Sequence, residues 1–141
     1  MQLGVYWCRM DELPKNEEEW EQKLSPEEFS VLREHQTEAP FSGEYVNNHE
    51  QGAYHCKGCG TLLFTSAQKF DSGTGWPSFT DPAVAENVGT RPDDTYGMHR
   101  TEVYCRNCNG HLGHVFNDGP AEAGGKRYCI NSVCLAFEKE S

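Results

Sequence analysis

Two Cys-x-x-Cys pairs, Cys56-Lys57-Gly58-Cys59 and Cys105-Arg106-Asn107-Cys108, constrain the folds open to this chain more than any other feature. Small residues, Gly60 and Asn109-Gly110, follow each pair and let the backbone turn under a metal. Four thiolates match the tetrahedral preference of Zn²⁺ at Zn–S distances of about 2.3 Å, and a closed sulfur shell leaves no position for substrate. One structural zinc per chain is therefore expected on Cys56, Cys59, Cys105 and Cys108. The 45 residues between the pairs exceed the spacing of small zinc fingers, so the metal should join two strand-turn units that flank an intervening segment. A redox motif would not come twice. His111 and His114 could compete as ligands, but four sulfurs make them unnecessary.

The chain has 141 residues, enough for one core, and only 36% are hydrophobic, so a metal clamp on a thin core is reasonable. Its 22 acidic residues against 12 basic ones give a formal charge of −10. No stretch gathers the cations that a phosphate backbone needs, which argues against nucleic acid as a partner. The first residues hold no apolar run behind a basic start, and nothing approaches membrane-spanning length. A soluble, cytoplasmic protein is the expectation. Seven cysteines then speak for metal binding or thiol chemistry rather than a disulfide framework.

Residues 1–40 read as an N-terminal extension packed on a zinc-containing catalytic β domain of residues 41–141. In the first part Asn16 caps a helix with Glu19 at its third position, and Trp20 and Leu24 share a face. Ser25, Pro26 and Glu28 repeat the signal, with Phe29 and Leu32 as the buried pair. From Gly52 onward, short apolar runs (AYHC, TLLF, EVYC, HVF, RYCINSVCLAF) alternate with turn clusters (DSGTG, RPDD, FNDGP, EAGGK). This pattern predicts mainly antiparallel β structure.

RYCINSVCLAF, entered through Gly124-Gly125, reads as one strand, so Arg127, Cys129 and Asn131 share a face while Tyr128 and Ile130 take the other. A neighbouring Arg⁺ favours the thiolate of Cys129, the nucleophilic form. A lone free cysteine is as often a buried small hydrophobe. His111 and His114, placed directly after the second knuckle, are groups able to relay a proton near neutral pH. On spacing alone they are more often satisfied structural histidines. The segment from Asp71 to Phe79 is a turn with aromatic residues and lacks the ending of a phosphate loop.

Taken together, LSPEEFSVLREHQTEAPFSGEY, YHCKGCGTLLF, KFDSGTGWPSF, CRNCNGHLGHVFNDGP and GKRYCINS closely resemble the B-type methionine sulfoxide reductases over nearly the whole chain. The resemblance implies two antiparallel sheets of the β-tent type with short N-terminal helices, stapled by the four-cysteine zinc site. It implies reduction of methionine-R-sulfoxide, preferably peptide-bound, through a sulfenic acid on Cys129 that thioredoxin or another thiol regenerates. Oxidised proteins or peptides would be the substrates. By the same resemblance Asn131 and Arg127 support the thiol, His111 and His114 position water and help protonate the departing oxygen, and Phe116 and Asp118 lie nearby. Trp76 lines the pocket for the substrate methyl group.

Many members carry a second, resolving cysteine where this chain has Thr74. Cys134 is a poor substitute, because five strand residues span roughly 16 Å and disulfide Cα atoms lie within about 7 Å. Cys8, if its N-terminal stretch swings in, is the candidate resolving thiol; direct reduction by an external thiol is the competing route. A non-catalytic zinc binding module on the same scaffold is the alternative function, and it gives Cys129 no special task.

Overall fold

The computed structural model describes residues 16–140, and Cys8 lies outside them. Two helices open the described chain. In α1 (Glu17–Lys23) the Asn16 side chain accepts the Glu19 N–H at 2.9 Å. In α2 (Pro26–Leu32) Ser25 and Glu28 cap each other reciprocally, which satisfies donors that a free helix end leaves unpaired. Trp20 and Leu24 are buried as expected; on α2 the buried residues are Val31 and Leu32, and Phe29 only leans on the core.

Nine strands follow among the described residues: β1 (Gly52–Cys56), β2 (Leu62–Thr65), β3 (Lys69–Phe70), β4 (Ser78–Phe79), β5 (Val88–Asp93), β6 (Arg100–Cys105), β7 (His111–Phe116), β8 (Arg127–Ile130) and β9 (Leu135–Lys139). They form two antiparallel sheets, ordered β2-β1-β9 and β3-β4-β8-β7-β6-β5. The expected mainly-β, two-sheet architecture with short leading helices is the one observed.

Two local readings change. RPDD, taken for a turn, supplies the end of β5: Arg91, Pro92 and Asp93 pair with Glu102, Thr101 and Arg100. Proline is tolerated there because β5 is an edge strand, where a missing N–H leaves no ladder bond open. RYCINSVCLAF is not one strand either. The chain leaves the large sheet after Ile130, makes a 3₁₀ turn over Ser132–Cys134, and enters the small sheet as β9. The extended span between Cys129 and Cys134 therefore does not exist. Cys134 is kept from the site by burial instead, fully enclosed with its Sγ donating to the His111 carbonyl at 3.2 Å.

The sheets meet through aromatic side chains. Phe64 of β2 stacks on Phe79 of β4 at 4.3 Å between centroids, and Tyr54 of β1 lies edge-on to Phe79 at 5.2 Å. Tyr128 and Ile130 of β8 pack on the same side. This apolar contact frees the other face of the large sheet for polar groups, since alternate residues of a strand point oppositely.

Register decides which polar groups share that face. Cys129 lies opposite His114 on one side and Ser78 on the other. His114 pairs with Glu102, Glu102 with Arg91, and Asp93 with Arg100. His111 and His114, three apart, should point to opposite faces of a regular strand. A bulge prevents this: Val103 pairs with Gly113 and Tyr104 with His111, leaving Leu112 as the extra residue. Both imidazoles consequently lie on the face of Cys129.

Candidate active site

The knuckles are the turns of two hairpins, β1–β2 and β6–β7, one from each sheet. In each, the residue after the second cysteine donates its N–H to the first cysteine's carbonyl: Gly60 to Cys56 at 2.8 Å and Asn109 to Cys105 at 2.7 Å. Both adopt left-handed backbone, with φ of 85° and 66°, a region open to glycine and tolerated by asparagine. The four sulfurs converge. Cys56 and Cys108 Sγ lie 3.7 Å apart, and Cys59 and Cys105 Sγ 3.6 Å. A tetrahedron with bonds of about 2.3 Å has edges of about 3.8 Å, so the buried cluster fits one tetrahedral metal ion. Thr61 Oγ1 lies 3.0 Å from Cys59 Sγ, and Arg33 of the helical segment bonds the Cys108 carbonyl at 2.9 Å.

On the polar face of the large sheet, Thr37, Thr74, Trp76, Arg100, His114 and Phe116 surround Cys129, with Arg127 and Asn131, in a cleft of about 200 Å³. Cys129 is half-buried. Burial pushes its thiol up, against the pull of Arg127 and a hydrogen bond from Thr74. The sequence reading expected the neighbouring Arg127 to favour the thiolate; desolvation outweighs it, because removing water penalises the thiolate more than one partly exposed cation repays. Arg127 is held by Asp118 at 2.8 and 3.1 Å and lies over the Phe116 ring at 4.5 Å. Asp118 is itself exposed and reaches the cleft only through Arg127.

His114 Nε2 lies 2.7 Å from Asp93 Oδ2, and Thr95 and Arg100 also engage this carboxylate. Burial pushes the His114 pKa down while Asp93 pulls it back, and the net shift favours the neutral ring. Donation of the Nε2 proton to Asp93 leaves Nδ1 with a lone pair. His111 is not a lining residue. It sits behind His114, ring centroids 5.4 Å apart, with Nδ1 bonded to Glu102 at 2.9 Å. His35, Glu102 and His111 bring three ligand atoms within 4.8 Å of one another. Arg91 already grips both Glu102 oxygens, at 2.9 and 3.2 Å, whereas His111 Nε2 is buried without a hydrogen-bond partner.

Asn131 stitches rather than points. Its Nδ2 and backbone N both donate to the carbonyl of the bulge residue Leu112, at 2.9 and 3.0 Å, and its Oδ1 accepts the Glu38 N–H at 3.1 Å. Trp76 Nε1 donates to the Glu38 carbonyl at 3.1 Å. Thr74 belongs to a hydroxyl chain in which Ser72 lies 2.8 Å from Thr74 and 2.6 Å from Ser78, the cross-strand partner of Cys129. Among the described residues no second cysteine lines the cleft.

The description SelR domain matches residues 24–139. The chain belongs to the SelR family. It is 57% identical to the peptide methionine sulfoxide reductase MsrB of Bradyrhizobium diazoefficiens over 91% of each chain. With the MsrB of Thiobacillus denitrificans it shares 54% over 88% of this chain and 93% of that one, and with that of Methanosarcina barkeri 55% over 89% and 88%. Among solved structures, a Mis18 Yippee-like domain covers 65% of this chain and 99% of its own at a TM-score of 0.52 and 18% identity. That likeness shows the fold alone.

Several groups around this SelR cleft escaped the sequence reading. Asp93, Glu102, Arg91 and Arg100 come from β5 and β6 and meet the histidines only through cross-strand register. Thr37 and Glu38 arrive from the segment after α2. Arg100 and Glu102, two apart on the strand opposite HLGH, were the available signal, and reading RPDD as a turn concealed Arg91 and Asp93.

Proposed function

We propose that this protein reduces the sulfoxide of peptide-bound methionine, R epimer, to the thioether, with Cys129 as nucleophile. The observation that carries the reading is the placement of Cys129 in a small cleft between an indole, a guanidinium and an Asp93-bound imidazole. The substrate methyl group packs on Trp76 and Phe116. Cys129 Sγ attacks the sulfoxide sulfur, and His114 Nδ1 takes the thiol proton, which Asp93 favours by stabilising the resulting imidazolium. The proton passes to the sulfoxide oxygen, which transfers as hydroxyl from the substrate sulfur to Sγ while the S–O bond and the newly formed Sγ–S bond break. Cys129 is left as a sulfenic acid and methionine leaves, so thiol plus sulfoxide gives sulfenic acid plus thioether.

His111, oriented by Glu102, and Asn131, which pins the Leu112 bulge, keep His114 and Cys129 on one face; Arg127, held by Asp118, stabilises the developing thiolate. Regeneration takes two external thiol equivalents, such as those of thioredoxin: one displaces water from the sulfenic acid, and the second resolves the mixed disulfide. Cys8 as an internal resolving thiol lies outside the described residues, and burial removes Cys134. The metal is Zn²⁺, one per chain, because four sulfurs in a closed tetrahedron suit its chemistry and leave no catalytic position. Residues 1–40 act as an extension and 41–141 as the catalytic domain, with Thr37 of the extension lining the cleft and Glu38 bonded to Trp76 and Asn131 behind it.

No helix among the described residues is long and apolar enough to cross a membrane; the acidic composition speaks against a nucleic-acid partner, and thiol chemistry suits the reducing cytoplasm. A zinc binding module without catalysis would leave Cys129, His114 and Asp93 without a shared task. Turnover of separated R and S epimers, with Cys129→Ser as control, tests the proposal.

A further inference from the structure

We propose that Glu38, outside the cleft, is a positioning residue that fixes Trp76 and Asn131 against Cys129; this rests on the sulfoxide reading above. Glu38 uses every polar group it has. Its carbonyl accepts the Trp76 indole N–H at 3.1 Å, and its own N–H donates to Asn131 Oδ1 at 3.1 Å. Its carboxylate accepts the Ser132 N–H on Oε2 at 2.9 Å and the Val133 N–H on Oε1 at 3.0 Å. Those two donors open the 3₁₀ turn immediately beyond Asn131.

Trp76 and Asn131 lie in no strand, and beyond the two bonds from Asn131 to the Leu112 carbonyl they share Glu38 as a common tether. Both walls of the cleft are thus tied to the main chain of one residue, and that main chain is anchored by its own side chain. Gly43 packs directly on this anchor: a Cβ there would collide with both the carboxylate and the Ser132 side chain. Burial pushes the Glu38 carboxyl up while the two backbone donors pull it back, as expected of a half-buried acid recruited for its acceptors.

The side-chain chemistry sets a graded series. Gln at 38 presents one oxygen to two N–H groups and faces the second with an NH₂, whereas Ala presents nothing. Loss of the anchor frees the segment that holds the indole, and the effect passes through Trp76.

Glu38→Gln, Glu38→Ala and Trp76→Phe, with the double variants, would be compared as full-length, zinc-loaded protein. Hydrogen exchange of the Trp76 indole N–H, assigned by its absence in Trp76→Phe, is read without turnover. We expect exchange about 10-fold faster in Glu38→Ala and an intermediate value in Glu38→Gln. For dithiothreitol-driven reduction of a methionine-R-sulfoxide peptide, KM should rise about 10-fold in Glu38→Ala, and adding Trp76→Phe should cost little more, because the two act as one unit. Unchanged exchange in both Glu38 variants overturns the proposal, as do fully multiplicative losses in the double variants. Should Glu38→Ala not fold, Glu38→Gln carries both readouts. An inactive wild type would count against the sulfoxide reading, and the exchange result would still decide whether Glu38 holds the indole.

Discussion

Cys129 and His114 are direct cross-strand partners on β8 and β7, and Asp93, on the edge strand β5, closes on His114 Nε2 at 2.7 Å. Thiol, imidazole and carboxylate are thus set by three strands rather than by a loop. Asp93→Asn keeps the shape but removes the charge that stabilises the imidazolium. Its kcat should fall about 10–100-fold with little change in KM, measured by steady-state reduction of a sulfoxide peptide.

The resting thiol should be protonated at neutral pH. Burial holds Cys129 above the range of a free cysteine and Arg127 moderates the shift, so iodoacetamide should alkylate it slowly at pH 7 and faster as pH rises past about 8.5. Arg127→Met should move the midpoint of that profile upward. A midpoint below 7 in the native protein would contradict the desolvation argument.

Much of this was legible in the chain. The CxxC spacing located the metal cluster, the Asn16–Glu19 and Ser25–Glu28 signals located both helix caps, and alternation along Arg127–Ile130 assigned the faces of the thiol strand correctly. What escaped depended on contacts distant in sequence. Nothing local in RPDD tells that Pro92 is at a sheet edge or that Asp93 faces a histidine, since register follows from partners. The co-facial histidines require a bulge that HLGHVF does not announce. The break after Ile130 was hidden because SVCLAF continues a strand-like pattern, while Glu38 and Asn131 divert the backbone into a turn.

Acid stability should depend on Glu102. Burial alone would push its carboxyl up, but His111 and Arg91 outweigh that and hold it down to about 2. The unfolded chain then binds more protons between about pH 4.3 and 2, so stability rises with pH there. This contribution, on the order of 3 kcal/mol, is fully present above pH 5 and is lost as pH falls toward 2. Urea unfolding of Glu102→Gln should show a shallower acid limb and lower stability at pH 7, because Arg91 loses its partner.

Metal removal should unfold the protein rather than merely inactivate it, because the cluster clamps one hairpin of each sheet. Thiol modification with a mercurial should release one Zn²⁺ per chain, read with a colorimetric chelator, together with loss of near-ultraviolet circular dichroism. Retention of native dichroism after complete release would show that the aromatic core holds the sheets unaided.

The most direct measurement is turnover of separated R and S epimers of a methionine sulfoxide peptide by zinc-loaded protein with dithiothreitol, beside Cys129→Ser. The account predicts loss of the R epimer alone, abolished in the variant. No turnover of either epimer by folded protein, or undiminished turnover by Cys129→Ser, would contradict it.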